Sequence, residues 1–327
     1  LATGTIYVLP EPPVDECDIG RSPNVHIRLS HSGSVSRRHA RLTRVGNRWR
    51  LDDLGSKNGV RRFAEPAATG FLLEAGMEIG IGNVTLVAEG PATTRVRGYL
   101  ERVLGWGSQR MVNVGLQTLA AADIARAPVY LVGDDDLVAV ARQLHRRMRG
   151  VQAPFVVCAP RARRPDQSLG VTATLAEPEE ALVRATGGTV CIRAPLPSLD
   201  VLHKAVSAPD SRVRMIVCTS KRRNSSAPEV FPYSIVVPKL AARTKADLHR
   251  IAVEYAAEAI ADLGARLSSF SDRDRAWVAD HAASFGEVEV ATRRLIARND
   301  AGTTHRAAAR LGLSHVGLRK WLKGRKF

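Results

Sequence analysis

The chain has 327 residues, 45% of them hydrophobic, with 48 Lys/Arg against 32 Asp/Glu and a net charge of +16. That length suggests two or three domains, and the apolar share is enough to bury real cores, which argues against a disordered protein. Cys17, Cys158, Cys191 and Cys218 lie far apart with no Cys-x-x-Cys pair, which argues against a disulfide framework or a zinc module.

Three of these cysteines sit in apolar runs and read as buried thiols. No apolar run approaches the length of a membrane span and no signal peptide precedes the first strand, so a cytoplasmic protein without a membrane segment is expected. The chain opens at Leu1 rather than Met, which leaves a missing start open. Charge is spread unevenly. Residues 1–90 carry 11 Lys/Arg against 10 Asp/Glu, whereas residues 301–327 carry 7 Lys/Arg and no acid. A near-neutral head and a basic tail point to a polyanion partner at the C-terminal end.

In chain order, His26–Leu29, Ala40–Leu42 and Arg48–Leu51 alternate with period two and predict short strands. Three polar turns lie around them: Ile19-Gly20-Arg21-Ser22, Ser36-Arg37-Arg38-His39 and Leu54-Gly55-Ser56-Lys57-Asn58-Gly59. Asn58-Gly59 is a tight-turn signal. Arg21 supplies a cationic fork, Ser36 a hydroxyl and Asn58 an amide, the groups that would hold phosphate oxygens. Gly76–Gly82 reads as a turn and Val84–Val87 as a last strand, with Gly90–Thr94 as the start of a linker.

These residues resemble a forkhead-associated (FHA) domain, a phosphothreonine-binding β-sandwich, over roughly residues 1–90. The resemblance implies that Arg21 and Ser36 contact the phosphate, with Arg37 and Ser56 at its edge. It also implies that Asn58 holds the peptide backbone, with Lys57 on the same loop. Gly20 and His39 would be structural, His39 bracing the loop that presents Ser36. For Arg37 and Arg38 a solvated surface pair is the other reading. Val60 stands where the family often has Thr.

From Val96 to Ala127 the pattern turns helical. Strands are predicted at Pro128–Val132, Pro154–Cys158, Gly188–Ile192 and Val213–Thr219, with a helix over Leu137–Arg149. Short buried strands alternating with helices imply a parallel sheet flanked by helices. After Pro238 the chain reads as helical to its end. The order of Gly105–Ser108, Ala141–His145, Pro154–Cys158, Ala185–Val190 and Ile235–Leu240 resembles the AAA+ domain of sigma-54-dependent activators.

The departures from that family's pattern carry weight. A phosphate loop needs glycines, a Lys and a hydroxyl. Here Gly133-Asp134-Asp135-Asp136-Leu137 offers three carboxylates and no Lys. Val190–Ile192 ends in Arg193-Ala194 where acids should hold magnesium. Glu289 stands at the place of the lid Arg, and the sigma-contacting Gly-Ala-Phe-Thr-Gly-Ala loop is missing. No ATP hydrolysis, no catalytic residue, no cofactor and no metal are expected. The three aspartates could take a hard cation, but the favoured reading is an acidic turn capping the next helix. Arg161, Arg163 and Arg164 read as a solvated loop rather than an anion site.

The tail predicts two short helices. Thr303 or Thr304 caps the first, Gly312 makes the turn and Ser314 caps the second. Ala308, Leu311, Leu313, Leu318 and Leu322 would face inward, and Trp321 reads as core or dimer contact. The run Ala307-Ala308 to Leu311-Gly312-Leu313-Ser314 resembles a Fis-type helix-turn-helix, completed by an earlier helix near Val288–Arg298. That resemblance implies that His315, Val316, Arg319 and Lys320 reach base edges or nearby phosphates. Arg306, Lys323, Arg325 and Lys326 would mainly meet phosphates.

The expected fold class is therefore multidomain: an all-β FHA sandwich at 1–90, an α/β AAA+-like core at 91–235, a helical lid remnant at 236–285 and an all-α helix-turn-helix at 286–327. The expected protein is a phosphothreonine-responsive transcriptional regulator. Its expected partners are double-stranded DNA, a phosphothreonine-containing protein or Ser/Thr kinase, and a second copy in a homodimer. Two alternatives stay open: a phosphopeptide-binding scaffold with a vestigial tail, and an unorthodox AAA+ ATPase.

Overall fold

Alternation of apolar and polar residues builds the N-terminal part from nine short strands. They are β1 (Glu16–Gly20), β2 (Ile27–Arg28), β3 (Ala40–Val45), β4 (Arg48–Asp53), β5 (Val60–Arg62), β6 (Glu65–Pro66), β7 (Phe71–Leu72), β8 (Glu78–Ile81) and β9 (Val84–Val87). The computed structural model describes residues 5–62, 65–159, 171–193, 199–220 and 232–324. The chain divides into two units, residues 1–98 with 108–121, and residues 99–107 with 122–327.

In the first unit one sheet has the order β2-β1-β3-β4-β7 and the other β6-β5-β8-β9. Cys17, Ile19, Ala40, Leu42 and Leu51 from the first sheet share one buried cluster with Val60, Ile79 and Ile81 from the second. Two layers facing one apolar core make a β-sandwich. Two-residue turns close the β3–β4 and β8–β9 hairpins, where Gly46 and Gly82 take the positive φ that such turns demand. Asn58-Gly59 does not close a hairpin. It passes the chain from β4 in one sheet to β5 in the other. Glu78–Ile81, read from sequence as part of a turn, is a strand because Ile79 and Ile81 both point into the core.

Helices α1 (Pro91–Leu104) and α2 (Gln109–Ala125) contribute residues to both units. The second unit continues with β10 (Val129–Gly133), α3 (Leu137–Arg149), β11 (Phe155–Cys158), β12 (Ala173–Leu175), α4 (Pro178–Arg184), β13 (Thr189–Arg193), α5 (Leu199–Ser207), β14 (Arg214–Thr219) and β15 (Ser234–Val237). The six strands pair in the order β12-β11-β13-β14-β10-β15, every pair parallel. All four residues of β11 are buried, as expected of a strand covered on both faces. Buried His145 on α3 ties that helix to the sheet. Its Nε2–H donates to the Ala153 carbonyl at 3.1 Å, and its Nδ1 lies 2.8 Å from the Thr189 hydroxyl. Burial pulls its pKa below the ordinary histidine value.

The C-terminal helices are α6 (Lys245–Leu263), α7 (Asp272–His281), α8 (Phe285–Ala301), α9 (Thr304–Leu311) and α10 (His315–Lys323). Side-chain caps start all five: Thr244 for α6, Ser271 for α7, Ser284 for α8, Thr303 for α9 and Ser314 for α10. Helix α8 packs on α6 through Ile296 against Ala256 and Ala259. Through Ala297 it joins a second cluster with Ala307, Ala308, Leu311 and Leu318.

Candidate functional site

The polar loops at the mouth of the sandwich are held together by backbone contacts that the sequence makes possible. Arg21 N donates to the Ser36 carbonyl at 3.0 Å and Ser22 N to the Arg37 carbonyl at 3.1 Å. Gly20 is required there, because a Cβ would overlap the Arg37 carbonyl oxygen. His39 is fully buried. Its Nδ1 accepts from Ser36 N at 3.0 Å, and its Nε2–H donates to the Gly59 carbonyl at 3.0 Å. One neutral imidazole thus joins the loop carrying Ser36 to the loop carrying Lys57 and Asn58.

The structure brings Arg21, Ser36, Lys57 and Asn58 to these joined loops. The Ser36 hydroxyl accepts from Lys57 N at 3.1 Å, and Arg21 Nε donates to the Val35 carbonyl at 3.2 Å. Asn58 Nδ2 donates to the Ser34 carbonyl at 2.7 Å. Ser56 N donates to Asp53 at 2.9 Å, while the Ser56 hydroxyl is buried without a hydrogen-bond partner. Arg21, Arg37, Lys57 and Asn58 are exposed. Among the described residues Arg21, Arg37 and Lys57 have no acidic partner.

Arg38 separates from its neighbour. It pairs with Asp18 at 2.8 Å, and Arg41 binds the same carboxylate at 2.8 Å. The hydrogen bond from Arg41 leads in holding the Asp18 carboxyl below its usual range. Three further residues brace the mouth and were not singled out by sequence. Ser34 Oγ lies 2.7 Å from Ser32 Oγ, donates to Asn83 at 2.6 Å and accepts from Asn83 N at 2.8 Å. Asn83 follows Gly82 in the β8–β9 turn, so only the folded register brings it to Ser34.

At the other end of the chain, Thr303 caps α9 by accepting from Arg306 N at 3.3 Å, and Ser314 caps α10 by accepting from Gly317 N at 3.0 Å. Gly312 ends α9 in the left-handed conformation, φ +66°. Leu318 is buried, whereas His315, Val316, Arg319, Lys320 and Lys323 are exposed on α10 and Arg306 on α9. Arg306, Arg319, Lys320 and Lys323 have no acidic partner among the described residues. Arg325 and Lys326 lie outside the described residues, as do Arg161, Arg163 and Arg164. Trp321 packs inward, edge-on to Trp277 at 5.8 Å with the Arg294 guanidinium 5.1 Å from its ring centre.

Among the described residues no group of three His, Cys, Asp or Glu could hold a metal ion. None of their helices is long and apolar enough to cross a membrane.

The first unit is thus a β-sandwich whose loop mouth carries cations without acidic partners, hydroxyls and an amide, groups chemically able to hold an oxyanion. The FHA family model matches residues 17–82, and the chain belongs to the FHA-domain family through this N-terminal part. The FhaA FHA domain, solved in complex with the intracellular domain of Rv3910, is 30% identical over 26% of this chain and 88% of that one, with a TM-score of 0.24. An FHA domain studied for phosphothreonine-dependent interactions is 29% identical over 27% of this chain and 88% of that one, with a TM-score of 0.25. EmbR from Mycobacterium tuberculosis, in complex with a low-affinity phosphopeptide, is 30% identical over 28% of this chain and 24% of that one, with a TM-score of 0.24. No curated protein matches the chain. The AAA+ and Fis-type resemblances find no support in these comparisons.

Proposed function

We propose that this chain is a phosphothreonine-binding scaffold whose N-terminal domain docks a phosphorylated partner at Arg21, Ser36 and Asn58. Arg37, Ser56 and Lys57 complete the rim. The observation that carries this reading is the set of three cations, Arg21, Arg37 and Lys57, left without acidic partners around a hydroxyl and a carboxamide on loops locked by His39. Charge-assisted hydrogen bonds from a guanidinium are worth about 1.5–3 kcal/mol each. Arg21→Ala should therefore weaken binding of a phosphothreonine peptide by about ten- to a hundredfold. Its thermal midpoint should stay within a few degrees of the parent, since Arg21 is exposed. Fluorescence anisotropy with matched phosphorylated and unphosphorylated peptides checks this, and unchanged affinity in the variant would rule out the site.

A second reading, that the tail binds double-stranded DNA, is favoured by one observation. Arg306, Arg319, Lys320 and Lys323 stand unpaired on a capped helix–turn–helix hairpin, in a unit where most other arginines on the helices are paired. Under this reading α10 enters the major groove, with His315, Val316, Arg319 and Lys320 toward the bases, and a homodimer reads an inverted repeat. Arg319→Ala and Lys320→Ala together should lower DNA affinity and reduce the salt slope by about 1 for each DNA phosphate left unneutralised. Filter binding at two salt concentrations measures both. Binding that is sequence-blind and unaffected by the substitutions sinks the reading and leaves the scaffold.

We also propose domain limits of 1–90, 91–235, 236–285 and 286–327, and a middle region related to AAA+ proteins but without ATP hydrolysis. The all-parallel six-stranded sheet followed by helices supports the first part. The acidic turn after β10 supports the second.

A further inference from the structure

The turn Gly133–Asp136 lies at the carboxyl end of β10, between β14 on one side and β15 on the other. The chain leaves β10 through α3 toward β11, away from β15, so this is where the connections reverse direction. In parallel sheets that crevice is where anionic ligands sit, on helix N-termini and free backbone N–H groups. Here the donors are present and already occupied. Asp135 Oδ1 accepts from Asp136 N at 2.7 Å and from Phe285 N at 3.0 Å, and its Oδ2 accepts from Leu240 N at 2.8 Å. The three donors come from three separate segments: the turn itself, the chain leaving β15, and the first residue of α8.

The neighbours fit the same arrangement. Asp136 caps α3 by accepting from Ala139 N at 3.3 Å, and it lies so close to α8 that a Cβ at Gly286 would overlap its carboxylate. Asp134 is exposed and lies 3.7 Å from Lys239. Backbone N–H groups aimed at a carboxylate are the partners of an anion, not of a cation. A cation site, the other reading of the three aspartates, is therefore not what this turn builds.

We propose that Asp135 is a built-in ligand. Its carboxylate fills an oxyanion site made by the N–H groups of Asp136, Leu240 and Phe285, and so fixes α8 and the chain after β15 to the sheet without nucleotide or phosphate. The positive end of the α8 dipole adds to the attraction. This inference stands on the second unit alone and does not depend on phosphothreonine binding.

Residue-resolved amide hydrogen exchange on the full chain tests it. In Asp135→Ala, protection at Leu240 and Phe285 should fall at least about tenfold, because each loses a charged acceptor. Millimolar inorganic phosphate should restore it in that variant and leave the parent unchanged. Asp134→Ala should match the parent. If Asp135→Ala does not fold, Asp135→Asn decides. Its one carboxamide oxygen can serve only one side, so one of the two amides should lose protection while the other keeps it. Parent-like protection in the folded Ala variant, or at both amides in the Asn variant, overturns the proposal. A fall in protection that phosphate does not restore overturns the anion site and leaves only an ordinary acceptor.

Discussion

His39 shows how one buried side chain can govern an exposed site. It contributes nothing to the surface, yet it spans from Ser36 N to the Gly59 carbonyl and so sets the spacing of the loops that bear Arg21, Ser36 and Lys57. His39→Ala leaves a half-buried donor, Ser36 N, and a half-buried acceptor, the Gly59 carbonyl, without their partner and empties a buried position, at a cost of at least about 1 kcal/mol. It should also weaken phosphopeptide binding although no candidate contact residue is removed. Urea denaturation and peptide titration on the same variant check both effects. Arg38→Ala is the comparison, since its exposed pair with Asp18 should be worth about 0–1 kcal/mol. At this scale Arg21, Ser36, Lys57 and Asn58 were legible because each lies in a short run with recognisable spacing. Ser32, Ser34 and Asn83 were not, because Ser34 and Asn83 are 49 residues apart and meet only through the β8–β9 turn.

Between elements, the helices of the second unit are joined by charge as well as by apolar packing. Arg142 on α3 and Glu289 on α8 form an ion pair in which both side chains are almost fully buried, 4% and 5% exposed. Glu289, which stood out in the sequence as the wrong sign for a lid arginine, is matched by a cation across the interface. Arg142→Met or Glu289→Leu alone should destabilise by about 3–5 kcal/mol, because each strands a buried charge. The double variant should recover most of that loss. Chemical denaturation of the three proteins measures the coupling, and additive single losses would refute it. The parallel strands β10, β11, β13 and β14 were readable as apolar runs. Strand β12 is three half-buried residues, and β15 is an edge strand that leaves Val236 exposed, so neither carries a run strong enough to declare itself. Their existence follows from pairing partners rather than from local pattern.

Across the whole molecule, an all-β N-terminal part, a parallel α/β part and a helical C-terminal part follow the order expected from sequence. The shift from period-two alternation to short buried strands alternating with helices, and then to helices alone, was enough to anticipate that order; the strand order of the second sheet and the ion pairs were beyond it, since both depend on distant residues meeting. With two units each owning a core, unfolding should show two transitions rather than one. A phosphothreonine peptide at a hundred times its Kd should stabilise the first unit by about 2.7 kcal/mol. Differential scanning calorimetry should then move one transition and leave the other in place. A single shifted transition would mean that the two units unfold as one. Within the second unit, α8 has a further mechanical consequence. Its first residue is hydrogen-bonded to Asp135, and its far end packs on α9 and α10. A 17-residue helix is about 25 Å long, so a tilt of about 5° pivoting at Phe285 would carry the far end roughly 2 Å. That displacement far exceeds the roughly few tenths of an ångström over which a hydrogen bond keeps its geometry, so the Asp135 contact at one end of α8 and the packing of its other end on α9 and α10 are expected to loosen together rather than separately.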